Sequence, residues 1–203
     1  MSGIDRLISN SLSSEIKKRM DLDTLKKVER ELFLDYGMSI KLSIEHFQKF
    51  INVFKKNSNL DIKKFEKDCI NKIIKVKKRE NNYVVTIVNP ELSHLILEYF
   101  GDPETRRIIS VLLEKEYTIP QILKESKIPK TSGYRKVENL IISGLLIESG
   151  KILSESKKIS KLQCVFQEIR LDIKKEKISV IGVVSSKMFE KSTSMKSILE
   201  TFS

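Results

Sequence analysis

The 203-residue chain carries 38 Lys and Arg against 27 Asp and Glu, a formal charge of +11, with 40% hydrophobic and 32% charged residues. That length suits one large or two small domains burying about 70% of the unfolded surface, and the steady recurrence of Ile, Leu, Val and Phe excludes disorder as the dominant state. The longest uncharged run, residues 81–90, is far short of the roughly 18 apolar residues of a spanning helix, and Asp5 and Arg6 precede any apolar run, so neither a membrane segment nor a secretory signal is expected and the reading is cytoplasmic.

In chain order, Leu22, Leu25, Val28, Leu32 and Tyr36 recur at helical spacing, with Gly37 placed to stop the helix. Ile40, Ile44, Phe47, Ile51 and Phe54 make a second apolar stripe, and Ile62, Phe65, Cys69, Ile73 and Val76 a third; both read as core. A basic run, Lys75, Lys77, Lys78 and Arg79, leads into residues 83–88, which are β-branched, too short for a helix and predicted as a strand. Pro90 opens a short helix that Gly101 closes.

The second half has a more specific grammar. Asp102 and Pro103 read as N-cap and first helical residue, with Ile108, Ile109, Leu112 and Leu113 behind them. Thr118 and Gln121 form a capping box for a short helix ending near Ser126 and Lys127. Ile128 and Pro129 make a tight corner, and a third helix runs from Lys130 to Ser143, stopped by Gly144 and burying Gly133, Val137, Leu140 and Ile141. Residues 145–153 and 163–170 are predicted as two strands joined by a polar, basic loop over 154–161. Helix, short helix, tight turn, helix and a basic-tipped hairpin make a winged helix-turn-helix, in which the third helix enters a DNA groove and the loop reaches a flanking phosphate.

The segment DPETRRIISVLLEKEYTIPQILKESKIPKTSGYRKVENLIISGLLIESGK resembles the winged-helix DNA-binding domain of prokaryotic transcriptional regulators, particularly the arsenic-repressor-like branch. The resemblance covers residues 102–170 and rests on TxxQxL followed by IPxTxxYRxVExLxxxGLL. It implies a groove-facing side carrying Lys130, Thr131, Ser132, Tyr134 and Arg135, and wing contacts from Lys157, Lys158 and Lys161. The paired-Cys metal sensor of some members is missing, so metal sensing does not carry over. Gly133 stands where a small apolar residue is usual, an exchange expected to loosen the helix by up to about 1 kcal/mol relative to Ala.

The remaining chemistry is sparse. Cys69 and Cys164 lie 95 positions apart, and His46 and His94 lack a second ligand at metal spacing; the thiols read as small core hydrophobes, and no metal or cofactor is expected. No Walker loop, GxGxxG, GxSxG or HExxH occurs, so the chain reads as a binding protein and not an enzyme. The positive charge is spread evenly, +5 over residues 1–101 and +6 over 102–203, which fits a solvated surface as well as a polyanionic partner.

The expected fold is mainly α with a small β component, an α+β chain. Residues 1–100 would form a helical domain with one short strand for dimerisation or sensing. Residues 101–184 would form the winged helix, and residues 185–203 a polar linker with a short amphipathic helix. The expected function is sequence-specific transcriptional regulation on double-stranded DNA as a homodimer, with no membrane association and any small-molecule effector unknown. The alternative is a winged helix serving as a protein-interaction or RNA-binding module. Surplus apolar stripes suggest the dimer: Phe47, Phe50 and Phe54, although three packed helices would consume these internally, and Met195, Ile198, Leu199 and Phe202 at the terminus.

Overall fold

The computed structural model describes residues 3–154, 157–175 and 177–200, and its fold is mixed α+β. It begins with a helix the stripes above did not include, α1 (Gly3–Arg19). Ile4, Leu7, Ile8, Leu12 and Ile16 recur every three or four residues along it, and all are buried. The first predicted stripe forms α2 (Leu22–Tyr36), started by Asp21 accepting from the Thr24 amide at 2.9 Å and stopped by Gly37 at φ +62°. Only Val28 and Leu32 of that stripe are fully buried, whereas Leu22 is exposed.

The second stripe is split between α3 (Ile40–Ile44) and α4 (Phe47–Asn57). Phe47, Phe50, Phe54 and Phe65 pack ring on ring at 5.5, 5.6 and 4.6 Å. The rings expected to attract a second copy are therefore consumed inside the chain. The third stripe forms α5 (Ile62–Ile73), but Val76 belongs to a strand, β1 (Ile74–Arg79), that holds the basic run. The strand turns at Glu80, φ +50°, and pairs antiparallel with β2 (Asn82–Ile87) from Ile74↔Ile87 to Arg79↔Asn82. Two strands thus stand where one was expected, because a strand whose apolar residues are only Ile74 and Val76 among four basic side chains does not announce its partner. Next comes α6 (Pro90–Gly101), capped by Asn89, which accepts from the Leu92 amide at 2.8 Å.

After the segment that carries the candidate site, β5 (Glu168–Lys174) and β6 (Lys177–Ser185) complete a sheet of order β1-β2-β6-β5, antiparallel throughout. Strand β6 pairs with β2 from Asn82↔Ser185 to Ile87↔Val180, so the division expected near residue 100 runs across a continuous sheet. On the buried face, Tyr83, Val85 and Ile87 stand opposite Val184, Gly182 and Val180. Gly182 is there because a Cβ would lie 2.2 Å from the Phe166 ring. The terminal stretch expected as a polar linker holds α10 (Ser186–Phe189), whose Phe189 stacks on Tyr83 at 4.3 Å. In α11 (Lys196–Leu199) with the preceding residue, Met195 and Ile198 are buried in this chain's own core; Phe202 lies outside the described residues.

Buried apolar residues form one contiguous cluster from Ile4 to Ile198. Cys69 and Cys164 belong to it, and burial pushes each thiol up to about 12. Since the thiolate is the nucleophile, neither should react in the folded chain. A disulfide reagent at pH 8 is expected to label no thiol in native protein and both after denaturation; rapid native labelling would contradict this burial.

Candidate nucleic-acid interface

The site rests on three helices and a hairpin. Helix α7 (Pro103–Val111) starts at Asp102, which accepts from the Thr105 amide at 3.0 Å, from the Thr105 hydroxyl and from Lys136 Nζ. The lysine and threonine donors hold the Asp102 carboxyl well below the usual carboxylate range, Lys136 most of all. Lys136 also reaches Glu104 at 3.5 Å. That cluster ties the middle of the third helix to the start of the first, so a basic residue within the candidate reading helix serves its orientation and not its contacts.

Helix α8 (Ile119–Glu125) is capped as predicted, with Gln121 Oε1 accepting from the Thr118 amide at 2.9 Å. The chain then turns through Lys127 at φ +53°, and the Ile128 amide returns to the Leu123 carbonyl at 3.0 Å. Helix α9 (Lys130–Ile142) buries Gly133, Val137 and Leu140, while Ile141 is half-buried. At Gly133 a Cβ would lie 2.3 Å from a Leu123 methyl and 3.2 Å from Ile128. The glycine therefore permits the close approach of α8 to α9, a packing benefit set against the helix propensity it forfeits.

Opposite that buried stripe, Lys130, Thr131, Tyr134 and Arg135 are exposed, and Ser132 is half-buried. The structure adds Glu138 and Asn139 to the same outward side. They continue the spacing from Thr131 and Arg135 by three and four residues, a periodicity that was available in the sequence. Lys127 is a further exposed cation just ahead of α9; nothing local marked it, since its left-handed backbone is normally a glycine or asparagine property.

The hairpin differs from expectation at its second strand. Strands β3 (Leu146–Ser154) and β4 (Lys157–Cys164) pair up to Ser154↔Lys157, so most of the expected loop over 154–161 is strand. Lys158 lies opposite Leu153 and Lys157 opposite Ser154. Adjacent strand residues face opposite sides of a ribbon, so Lys157 and Lys158 do not share a face. Lys161 sits further down, opposite Gly150, and its Nζ binds Glu116 at 3.0 Å. It anchors the hairpin to the segment before α8, and its ammonium in turn lowers the Glu116 carboxyl. The second strand expected over 163–170 is interrupted: β4 stops at Cys164, Val165 and Phe166 turn into the core, and β5 starts at Glu168.

Between α8, α9 and the hairpin lies an open, mostly apolar groove of about 560 Å³, lined by Ile119, Pro120, Tyr134, Ile141, Ile159 and Leu162. Tyr134 forms part of this wall while remaining 45% exposed. Among the described residues no group of three His, Cys, Asp or Glu is placed to hold a metal ion, and no helix is long and apolar enough to cross a membrane. Comparisons of the chain with protein families, with curated proteins and with solved structures found no match.

Proposed function

We propose that this protein is a sequence-specific transcriptional regulator of winged-helix type, a binding protein and not an enzyme, that places α9 in the major groove of duplex DNA. The observation that carries the reading is the exposed side of α9, where Lys130, Thr131, Arg135 and Asn139 stand clear of solvent-excluding neighbours while α8 and Lys136 hold the helix from behind. Arginine reads guanine and asparagine reads adenine by paired hydrogen bonds, so this face has donors and acceptors suited to base edges. Lys157 and Lys158, at the far end of the hairpin, suit backbone phosphates, which position without reading sequence. A formal charge of +11 supplies the long-range attraction.

Fluorescence titration with duplex DNA, duplex RNA and single strands tests the reading. Duplex DNA is expected to bind best, with affinity falling by orders of magnitude between about 50 and 200 mM salt as phosphate contacts release counterions. Arg135→Ala is expected to relax sequence preference, by about 1–3 kcal/mol at the base it reads. The double variant Lys157→Ala, Lys158→Ala is expected to weaken all sequences alike and flatten the salt slope. Tighter binding to RNA, or no nucleic-acid binding at all, would transfer the site to the alternative role in RNA or protein recognition.

A further inference from the structure

The sheet ends on an unpaired edge, and that edge carries an unusual charge pattern. Among the described residues, strand β5 bonds β6 on one side only, leaving alternate backbone N–H and C=O groups of Glu168–Lys174 open on the other, a template for another strand. Glu168, Arg170, Asp172 and Lys174 share one face of the strand, and Ile169, Leu171 and Ile173 share the other. The apolar face is continuous with the buried face of the sheet but outruns the helices that cover it: Leu171 is 39% exposed, Ile173 71% and Ile178 on β6 46%. Natural edges are usually guarded by inward-pointing charge, and here the outlying positions are isoleucine and leucine instead.

Residues 168–174 read Glu-Ile-Arg-Leu-Asp-Ile-Lys, a palindrome in which charge changes sign about the centre. Laid antiparallel against a second copy with Leu171 on the two-fold axis, Glu168 meets Lys174, Arg170 meets Asp172, Ile169 meets Ile173, and Leu171 meets Leu171. Every charged pair is then attractive and every apolar pair lies on one face. A slip of two residues in either direction sets Arg170 against Arg170 or Asp172 against Asp172. A slip of one puts apolar side chains opposite charged ones. One register is thus selected by both faces at once.

A second feature receives the ends of such a pair. Beside the start of β5 lies an open groove of about 520 Å³, walled by Val111, Leu113, Tyr117 and Ile169, with Glu114, Glu125 and Glu168 outnumbering Lys115 along its edge. The antiparallel arrangement brings the far end of the neighbouring strand there, with its exposed Ile173 and the cations Lys174 and Lys175. Apolar wall meets isoleucine, and an edge with more acids than bases meets lysine.

We propose that two copies of this chain associate through their β5 edges about a two-fold axis at Leu171, forming one continuous eight-stranded antiparallel sheet. A two-fold assembly suits a reader of paired half-sites, but the association does not depend on nucleic acid and is read without it, so its failure and that of the DNA reading are separable. One strand pair with two hairpin ends is a modest interface, and dimerisation in the micromolar range is expected.

Sedimentation equilibrium of the full chain from about 1 to 200 µM, without nucleic acid, measures it. Arg170→Asp sets a new carboxylate against Asp172 of the partner subunit twice over and is expected to weaken the dimer at least about tenfold. The double variant Arg170→Asp, Asp172→Arg restores both cross-strand attractions while leaving the ion pairs within one strand, Arg170 with Glu168 and Lys174 with Asp172, broken. It is expected to dimerise within about threefold of the parent. Far-ultraviolet circular dichroism and thermal melting establish that each variant is folded, and Leu171→Lys, which places like charges on the axis, serves as an independent disruption. A monomeric parent throughout the range, a single reversal that dimerises as well as the parent, or a double variant that stays monomeric would each overturn the proposal.

Discussion

Asp5→Ala is expected to destabilise the protein by about 3–5 kcal/mol and to release its carboxy-terminal segment. The Asp5 side chain is fully buried, and Oδ1 accepts from the Ser192 hydroxyl, from the Ser194 hydroxyl and from the Ser194 amide at 3.2 Å. Oδ2 accepts from the Thr193 amide at 2.9 Å and its hydroxyl at 3.2 Å. Thr193 Oγ1 in turn accepts from the Phe47 amide at 3.3 Å, at the start of α4. One carboxyl therefore joins α1, the aromatic core helix and a segment some 190 residues away. Hydrogen bonds to a charged acceptor contribute about 1.5–3 kcal/mol each, and an alanine leaves several buried donors facing a hole. The two serine hydroxyls, 3.4 Å apart, are able to turn toward each other, which offsets part of the loss. Urea denaturation measures the change, and hydrogen exchange over residues 190–200 tests its place: fast exchange there is expected first, since Met195 and Ile198 lose the anchor that holds them in the core. A variant within about 0.5 kcal/mol of the parent would sink the account.

Gly144→Ala is expected to cost about 3 kcal/mol or more, a larger loss than a helix-terminating glycine alone explains. Gly144 has φ +81°, and replacing glycine in that conformation costs on the order of 1 kcal/mol. The larger effect is steric. A Cβ at Gly144 would lie 2.5 Å from the Leu7 amide nitrogen, 2.7 Å from the Arg6 carbonyl carbon and 2.9 Å from Leu7 Cα. These are backbone atoms, so no rotamer change relieves the contact; α1 has to move away from the turn between α9 and β3. That shift would open the packing of Leu7 and Ile8, both buried. Gly150→Ala is the control, because nothing lies within 4 Å of its Cβ position and a change within about ±0.5 kcal/mol is expected. Equal effects at the two glycines in urea titration would mean that α1 does not pack against this turn.

Across the chain, what the sequence alone determined was local. The caps at Asp102 and Thr118, the stops at Gly37 and Gly144, and the exposed run Lys130, Thr131, Tyr134 and Arg135 were legible because each depends on residues within about one helical turn. The mixed α+β class followed from the same periodicities. Tertiary structure alone decided the long-range pairings: β6 lies beside β2 although about 100 residues separate Val85 from Gly182, Phe166 fills the space that Gly182 leaves, and Lys161 binds Glu116 instead of standing free at the hairpin end. No local rule selects such partners, since a strand of suitable pattern pairs with whichever edge the packed helices leave open. For the same reason the charge palindrome over 168–174 is plain in the sequence yet carries no meaning there. Only the position of β5 at the rim of the sheet, with one side of its backbone unbonded among the described residues, makes that pattern the basis of the proposed association with a second copy.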